Sequence, residues 1–186
     1  EYGWTEKGKS VPFRIDDRKW ADAYFKTVPN PMERQGVDFW WLDWQQWSND
    51  KQFPNLSNTW WINYTTFTDM ERNRETRPML YHRWGGLGNH RYQIGFSGDA
   101  IISWKSLDFQ PYFNSTASNV LYGYWSHDMG GHMGAHSIDP EMYIRWMQFG
   151  AFSPILRTHS TKDAGLNKEP WVFADRERDI LHDIIR

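Results

Sequence analysis

Short apolar runs alternate with helix-like, amphipathic stretches about five times along the chain. Each apolar run is rich in aromatic or β-branched residues, which is typical of a buried strand. The predicted strands cover residues 37–43, 77–83, 92–99, 120–128 and 153–160. The predicted helices cover residues 17–36, 56–74, 103–119, 139–152 and 174–186. Pro29 and Pro31 interrupt the first of them. Ser57 or Asn58 is the predicted cap of the second, and Asp139, with Pro140 in the first turn, is the predicted cap of the fourth. This alternation predicts parallel strands joined by helical crossovers, which is an α/β fold.

A polar, chemically active side chain lies at or near the carboxyl end of each predicted strand: Asp43, Arg83, Asp99, Asp128 and His159. A (β/α) barrel builds its active site at this end of its strands, whereas a doubly wound sheet concentrates its site at one switch point. We therefore predict a (β/α)8 TIM barrel. A complete barrel has eight strands and about 250 residues. The 186 residues of this chain are expected to form one partial catalytic domain over 1–186, holding roughly strands four to eight, with the N-terminal strands missing.

The composition points to a carbohydrate partner. The chain contains 13 Trp residues, and aromatic residues make up 18% of it; their flat faces stack well on sugar rings. The formal net charge is −2, so there is no basic field to hold the phosphate backbone of a nucleic acid. No run approaches the ~20 apolar residues of a membrane span. We expect neither a nucleic-acid partner nor a membrane span.

Two aspartates are the natural pair for cleaving a glycosidic bond, because that reaction needs a nucleophile or base and an acid beside the bond. Asp43 lies within "FWWLDWQQW", residues 39–47, where a charge among tryptophans is costly unless it has a partner or a task. Asp99 follows a Ser-Gly turn, and Arg83 is a cation that could hold one carboxylate ionised. Alternatively, each aspartate only caps the helix that follows it. Five active side chains in phase argue against this alternative.

Four stretches of the chain together resemble glycoside hydrolase family 31. The four stretches are "WLD" (41–43), "RWGGLGNHRYQIGFSGD" (83–99), "HDMGG" (127–131) and "RWMQFGAFSPILRTH" (145–159). They hold five motifs in the order in which the family has them. The first holds the family's W-x-D motif, and the second holds its strand-end Arg and its Gly-Asp. The resemblance extends from about residue 10 to residue 175.

The resemblance implies an exo-acting, retaining α-glycoside hydrolase that works by double displacement through a covalent glycosyl-enzyme. Asp43 would be the nucleophile and Asp99 the acid/base. The residues that would bind the sugar in the −1 subsite or shape its pocket are Arg83, Asp128, His159, Trp41 and Phe96. The family needs no metal, and no cofactor is expected. We expect an extracellular or periplasmic location rather than a cytoplasmic one.

Two features of the chain depart from the family pattern near the nucleophile. The family usually has an Asn-Glu pair there, and this chain has Gln45 and Gln46. Trp44 takes a place where many members have Met or a small residue. An α-glucoside is the expected substrate, and an α-galactoside or α-N-acetylgalactosaminide of the same family's range is the alternative.

The stretch "HDMGGHMGAH" raises the question of a metal site. It contains His127, Asp128, His132 and His136, and the spacing of the last two would suit a metal on a helix. Two glycines precede His132, which makes a helix there unfavourable. The pattern therefore favours a loop that lines a sugar subsite over a metal centre.

A non-catalytic carbohydrate-binding domain is the competing function class. Such a domain would need an exposed tryptophan platform, whereas Trp40, Trp41 and Trp125 lie on predicted buried strands. A partial barrel also leaves open parallel edges with unpaired backbone groups. We therefore expect residues 1–186 by themselves to be inactive and prone to aggregate.

Overall fold

A computed structural model describes residues 13–43, 53–83 and 86–186 of the chain. The chain divides into two compact units, Glu1–Gln93 and Ile94–Arg186. Strands and helices alternate within each unit, as the sequence predicts. Across the described residues, no helix has both the length and the apolar composition that crossing a membrane requires.

The first unit holds four helices and two parallel strands among its described residues. They are α1 (Arg18–Thr27), α2 (Pro29–Arg34), β1 (Trp40–Leu42), α3 (Asn58–Asn73), β2 (Leu80–Arg83) and a 3₁₀ helix (Asn89–Tyr92). In the ladder between β1 and β2, Trp40 lies opposite Leu80, Trp41 opposite Tyr81 and Leu42 opposite His82.

Local chemistry sets the ends of these helices. The Asp17 side chain accepts hydrogen bonds from the backbone N–H groups of Lys19 and Trp20 and so caps α1. The helical stretch predicted over 17–36 is divided into two helices at its prolines, because Pro29 lacks the N–H that would continue α1. Ser57 caps α3 by accepting from Trp60 N–H, as predicted.

One face of the β1–β2 ladder is covered by apolar side chains of the helices. Leu80 packs with Met70 of α3 and Tyr92, and Trp40 and Leu42 border this cluster. At the start of β1, the indole Nε1 of Trp40 donates to Glu33, 2.6 Å away. The residues that alternate with these on the strands must therefore point to the opposite face.

The second unit is built around the parallel pair β3–β4. Its elements are β3 (Gln93–Phe96, which starts on the last residue of the first unit), α4 (Trp104–Ser118), β4 (Trp125–Ser126), α5 (Pro140–Gly150), 3₁₀ helices at Ala164–Leu166 and Pro170–Val172, and α6 (Asp175–Ile185). Gly95 lies opposite Trp125 and Phe96 opposite Ser126. Asp139 caps α5, and Pro140 occupies its first turn, as predicted.

The observed strands are all shorter than predicted, and two of the predicted strands differ most from the structure. The strand predicted over 120–128 is reduced to Trp125–Ser126, because the chain turns before it with Leu121 at φ 66°. The strand predicted over 153–160 is absent, although the structure describes all of these residues. A strand needs a ladder of backbone bonds, and here only a single bridge joins Met129 to Thr158.

The core of the second unit lies under β4 and the segment that follows it. Met129, Met142, Trp146 and Leu181 are all at most 2% exposed and belong to one apolar cluster. Burying a large apolar side chain contributes about 1.5–3 kcal/mol. This packing holds the backbone of residues 127–129 in place.

Candidate active site

The register of β1 and β2 brings Asp43 beside Arg83. Leu42 lies opposite His82. Asp43, which directly follows β1, therefore meets Arg83 on the face opposite to Leu80. The Nε of Arg83 donates to Asp43 Oδ1 over 2.6 Å. The Arg83 side chain is 6% exposed and that of Asp43 is 38% exposed. A buried cation therefore orients a carboxylate that remains accessible.

Aromatic rings stand next to this ion pair. Trp41 shares the face of Asp43, and its ring lies 5.4 Å from that of Tyr81, tilted by 56°. Trp41 is 40% exposed, so the expectation that it lies buried on a strand is wrong; a three-residue strand covered on one face leaves it accessible. The residues that depart from the family pattern, Trp44, Gln45 and Gln46, lie outside the described residues.

His82 supports Arg83 from the buried side of β2. It is fully buried, and its Nδ1 lies 2.6 Å from the backbone carbonyl oxygen of Arg83. Burial lowers the pKa of His82 to about 4, so the ring is neutral near pH 7. Because a carbonyl oxygen only accepts, Nδ1 carries the proton and donates it to this bond.

Asp99 lies in the loop after β3, half-buried, where the preceding Gly98 adopts φ 73°. This left-handed conformation suits glycine and turns the chain at the end of the strand. The loop is tied to the segment after β4, since the backbone N–H of His132 donates to Ala100 O over 2.6 Å. Two segments that carry candidate residues are thus connected by backbone bonds.

Asp128 lies at the carboxyl end of β4 and is held by Arg157. Arg157 Nη2 donates to Asp128 Oδ1, and the backbone N–H of Asp128 donates to Ser97 Oγ over 3.1 Å. The Asp128 side chain is 1% exposed. The Arg157 guanidinium also lies 5.6 Å above the ring centre of Phe96. Phe96, expected to shape a pocket, is thus buried beneath Arg157.

His159 and His132 stack on each other beside Asp128. Their ring centres are 4.7 Å apart with an interplanar angle of 25°. The Nδ1 of His132 lies 3.7 Å from Asp128 Oδ2, which is too long for a hydrogen bond. The loop over 127–136 therefore brings His132 to the predicted sugar-binding residues.

These same residues could in principle hold a metal. Ligand atoms of Asp128, His132 and His159 lie within 4.8 Å of one another, whereas the spacing argument had pointed to His132 with His136. Arg157 is ion-paired with this carboxylate, and the buried Lys168 ammonium is close enough to Asp128 to interact with it electrostatically. A further cation would be repelled by both, so the donor set does not favour a metal.

His127 is a buried structural residue and not part of this group. Trp146 Nε1 donates to its Nδ1 over 2.9 Å, which leaves the proton on Nε2. That nitrogen lies 3.0 Å from Ser153 Oγ and donates to it. Burial lowers the pKa of His127 to about 4. The chain of bonds joins the end of β4 to α5.

The structure therefore brings the predicted residues together in two groups. Asp43, Arg83 and Trp41 form one, and Asp128, His159 and Phe96 form the other. The sequence analysis did not single out Arg157, although it stands two residues before His159, the spacing at which side chains share a face of extended chain. It also missed Lys168, which has no sequence signal, since a lysine in a polar loop is usually solvated.

Comparison with known proteins agrees with the family resemblance of the sequence motifs. The family model described as the "Glycosyl hydrolases family 31 TIM-barrel domain" matches residues 3–186. A "Probable glucan 1,3-alpha-glucosidase" of Arabidopsis thaliana is 29% identical over 116 residues, which are 62% of this chain and 12% of that protein. "Alpha-glucosidase 2" of Bacillus thermoamyloliquefaciens is 34% identical over 113 residues, which are 59% of this chain and 14% of that protein.

A solved structure shows the same fold. It is a "GH31 alpha-xylosidase from a soil metagenome complexed with xylose", with a TM-score of 0.77 and 19% identity, covering 98% of this chain and 32% of that one. At this identity the likeness concerns the fold alone. The chain spans only a small part of the length of each of these three proteins.

Proposed function

Because the chain belongs to the glycosyl hydrolase family 31 TIM-barrel domain family, we propose that it carries the catalytic residues of a retaining, exo-acting hydrolase of α-glucosides. Membership confirms the family resemblance and the TIM-barrel class predicted from the sequence. The observation that carries the proposal is the Asp43–Arg83 pair, in which an accessible carboxylate is oriented by a buried guanidinium at a strand end.

In the proposed reaction Asp43 is the nucleophile and Asp99 the acid/base. An Asp43 oxygen forms a bond to the anomeric carbon while the glycosidic bond breaks, and Asp99 gives its proton to the leaving oxygen. Asp99 then takes a proton from water, whose oxygen attacks the anomeric carbon and releases Asp43. Two inversions return the original α configuration. The carboxyl groups of Asp43 and Asp99 are predicted to lie at the separation of retaining enzymes, about 5–5.5 Å.

Substrate binding in the −1 subsite is proposed for Arg83, Asp128 and His159. Trp41 is proposed to shape the pocket directly, and Phe96 to do so from beneath Arg157. Asp128 uses Oδ1 to accept from Arg157. Trp41 offers an accessible ring beside the proposed nucleophile.

The proposed sugar is glucose. The two curated relatives are named as α-glucosidases, and this favours an α-glucoside over the alternatives, an α-galactoside or an α-N-acetylgalactosaminide. Rates on the 4-nitrophenyl α-glycosides of these three sugars test the proposal. Fastest hydrolysis of the glucoside supports it, and preference for either other sugar overturns the substrate assignment. Binding without hydrolysis would instead identify a carbohydrate-binding domain.

The stereochemical outcome tests the mechanism separately from the sugar. Early in the reaction, before mutarotation, ¹H NMR should show the α anomer of the released sugar. An initial β product would mean a single inversion and would refute the nucleophilic role of Asp43.

We further propose that activity requires a complete barrel, of which these residues supply the later strands. The curated relatives that the chain matches are about seven to eight times longer than the matched part. Residues 1–186 expressed by themselves are expected to be inactive and to aggregate. A soluble, cooperatively melting and active protein of this length would contradict this proposal. A location outside the cytoplasm stays a prediction.

A further inference from the structure

Lys168 is a buried lysine in the loop before α6. It is 4% exposed, which is rare for an ammonium group without a specific role. Its Nζ donates to the backbone carbonyl oxygens of Gly131 and His159. These two acceptors lie on separate segments, one following Asp128 and the other carrying the second histidine of the stacked pair.

The surroundings of Lys168 hold its own backbone and its alkyl stem in place. Tyr143 Oη donates to the Lys168 carbonyl oxygen over 2.9 Å. A Cβ added at Gly130 would come within 3.0 Å of Lys168 Cε. A Cβ at Gly131 would come within 2.6 Å of the Cα of Ile102. The two adjacent glycines thus leave room for the lysine stem on one side and a close backbone approach on the other.

The charge of this buried group is matched by its neighbours. Burial lowers the pKa of Lys168 to about 8, Asp128 acts to raise it and Arg157 acts to lower it. Lys168 is therefore an ammonium near pH 7. Two carbonyl oxygens and a nearby carboxylate compensate for the loss of hydration. Without such partners, the desolvation cost would keep a buried amine neutral.

We propose that Lys168 is a positioning residue for sugar binding, because it ties the segment after Asp128 to the segment that carries His159. The inference rests on the proposed function only in taking Asp128 and His159 as sugar-binding residues. The tie extends further, since His132 N–H donates to Ala100 O in the loop of Asp99. Lys168 itself touches neither sugar nor reacting atoms.

The test is Lys168→Met in the complete enzyme, with Lys162→Met as the matched control. Methionine keeps most of the stem and removes the charge and all three donors. Lys162 is an exposed lysine of the same loop. Hydrogen exchange followed by mass spectrometry should show faster exchange in residues 129–134 and 157–161 of the Lys168 variant, with α6 and the control unchanged.

Kinetics on 4-nitrophenyl α-glucoside give the functional part of the test. We expect kcat/KM of Lys168→Met to fall by roughly 10- to 100-fold, as for a binding group displaced by about 1 Å, with KM rising more than kcat falls. The control should match wild type. Unchanged exchange in the two segments would overturn the proposal, and so would faster exchange with wild-type KM, since that would show a merely structural role.

A second variant covers the case in which Lys168→Met does not fold. Tyr143→Phe removes only the hydrogen bond to the Lys168 carbonyl and should shift exchange and KM in the same direction by a smaller amount. Wild-type behaviour of this variant would then overturn the proposal. Failure of the proposed function can be told apart from failure of this inference. In the first case the wild-type enzyme hydrolyses none of the three glycosides. The exchange experiment still decides whether Lys168 holds the two segments together.

Discussion

The ends of β2 and β4 carry the same chemical arrangement in the two units. Each strand end has a fully buried histidine with a pKa lowered to about 4, followed directly by a charged residue of an Arg–Asp pair. At β2 the order is His82 and then Arg83, which holds Asp43. At β4 the order is His127 and then Asp128, which is held by Arg157.

The two pairs differ in the exposure of the carboxylate. The Asp43 side chain is 38% exposed and that of Asp128 is 1% exposed. An accessible carboxylate can reach a substrate atom, whereas removing the partner of a buried one leaves an uncompensated charge. The exposure of Asp43 agrees with its proposed role as nucleophile, and the burial of Asp128 predicts that the second pair contributes more to stability.

The largest expected effect is on the rate of the Asp43→Asn variant. Asparagine keeps the shape and the acceptor for Arg83 but cannot form the glycosyl ester. Turnover should fall by at least about 10⁴-fold for every leaving group, while the free energy of unfolding changes by less than about 1 kcal/mol. Steady-state assays measure this loss, and mass spectrometry checks that no deamidated protein is present. Substantial residual activity would contradict the nucleophilic role of Asp43.

Asp99→Ala should lose activity only where the leaving group needs a proton. Natural disaccharides should react about 10²- to 10⁴-fold more slowly, and activated aryl glucosides should keep most of their first-step rate. Azide should restore turnover, because this small nucleophile needs no general base. Equal losses on activated and natural substrates would contradict the acid/base role of Asp99.

Replacing the arginine should lower the free energy of unfolding more at the second pair than at the first. Arg157→Met removes the guanidinium that donates to the buried Asp128 and should destabilise the enzyme by about 3–5 kcal/mol. Arg83→Met leaves Asp43 accessible to water and should cost about 1 kcal/mol. Chemical denaturation measures both, and equal losses would show that exposure does not distinguish the pairs.

The two buried histidines should make the stability of the protein depend on pH. The unfolded chain takes up a proton on each near its ordinary pKa of about 6.5, whereas the folded protein does so only near 4. The unfolded state therefore binds more protons between these values, and stability falls as the pH drops from about 6.5 towards 4. Each histidine should contribute a loss of about 2 kcal/mol between pH 7.5 and pH 5.

Single variants measure each of these contributions. His127→Gln and His82→Gln should each make the unfolding free energy less dependent on pH by that amount. A wild-type pH dependence in either variant would mean that the histidine is not neutral in the folded protein.

The sequence predicted the end of β2 better than the end of β4 for a physical reason. Asp43 and Arg83 each follow a clear apolar run at a barrel strand end, so their meeting could be predicted from parallel pairing. Arg157 reaches Asp128 from a segment that was predicted to be a strand. An apolar pattern reports burial and not backbone pairing, so it could not reveal that residues 153–160 lack a ladder.

Two further differences depend on contacts distant in sequence. Trp41 is exposed because only one face of β1 is covered by helices. Lys168 is buried because two carbonyl oxygens from separate segments converge on it. Neither fact has a local signature, whereas helix caps such as Ser57 and Asp139 do, and these were predicted correctly.

Trapping of the glycosyl-enzyme tests the central claim most directly. A fluorinated α-glucosyl fluoride, which slows hydrolysis of the intermediate more than its formation, should leave one sugar covalently attached to the complete enzyme. Peptide mass spectrometry should place this sugar on Asp43, and Asp43→Asn should remain unlabelled. A label on Asp99 or Asp128, or turnover of the reagent to a product of inverted configuration without any labelled peptide, would contradict the account.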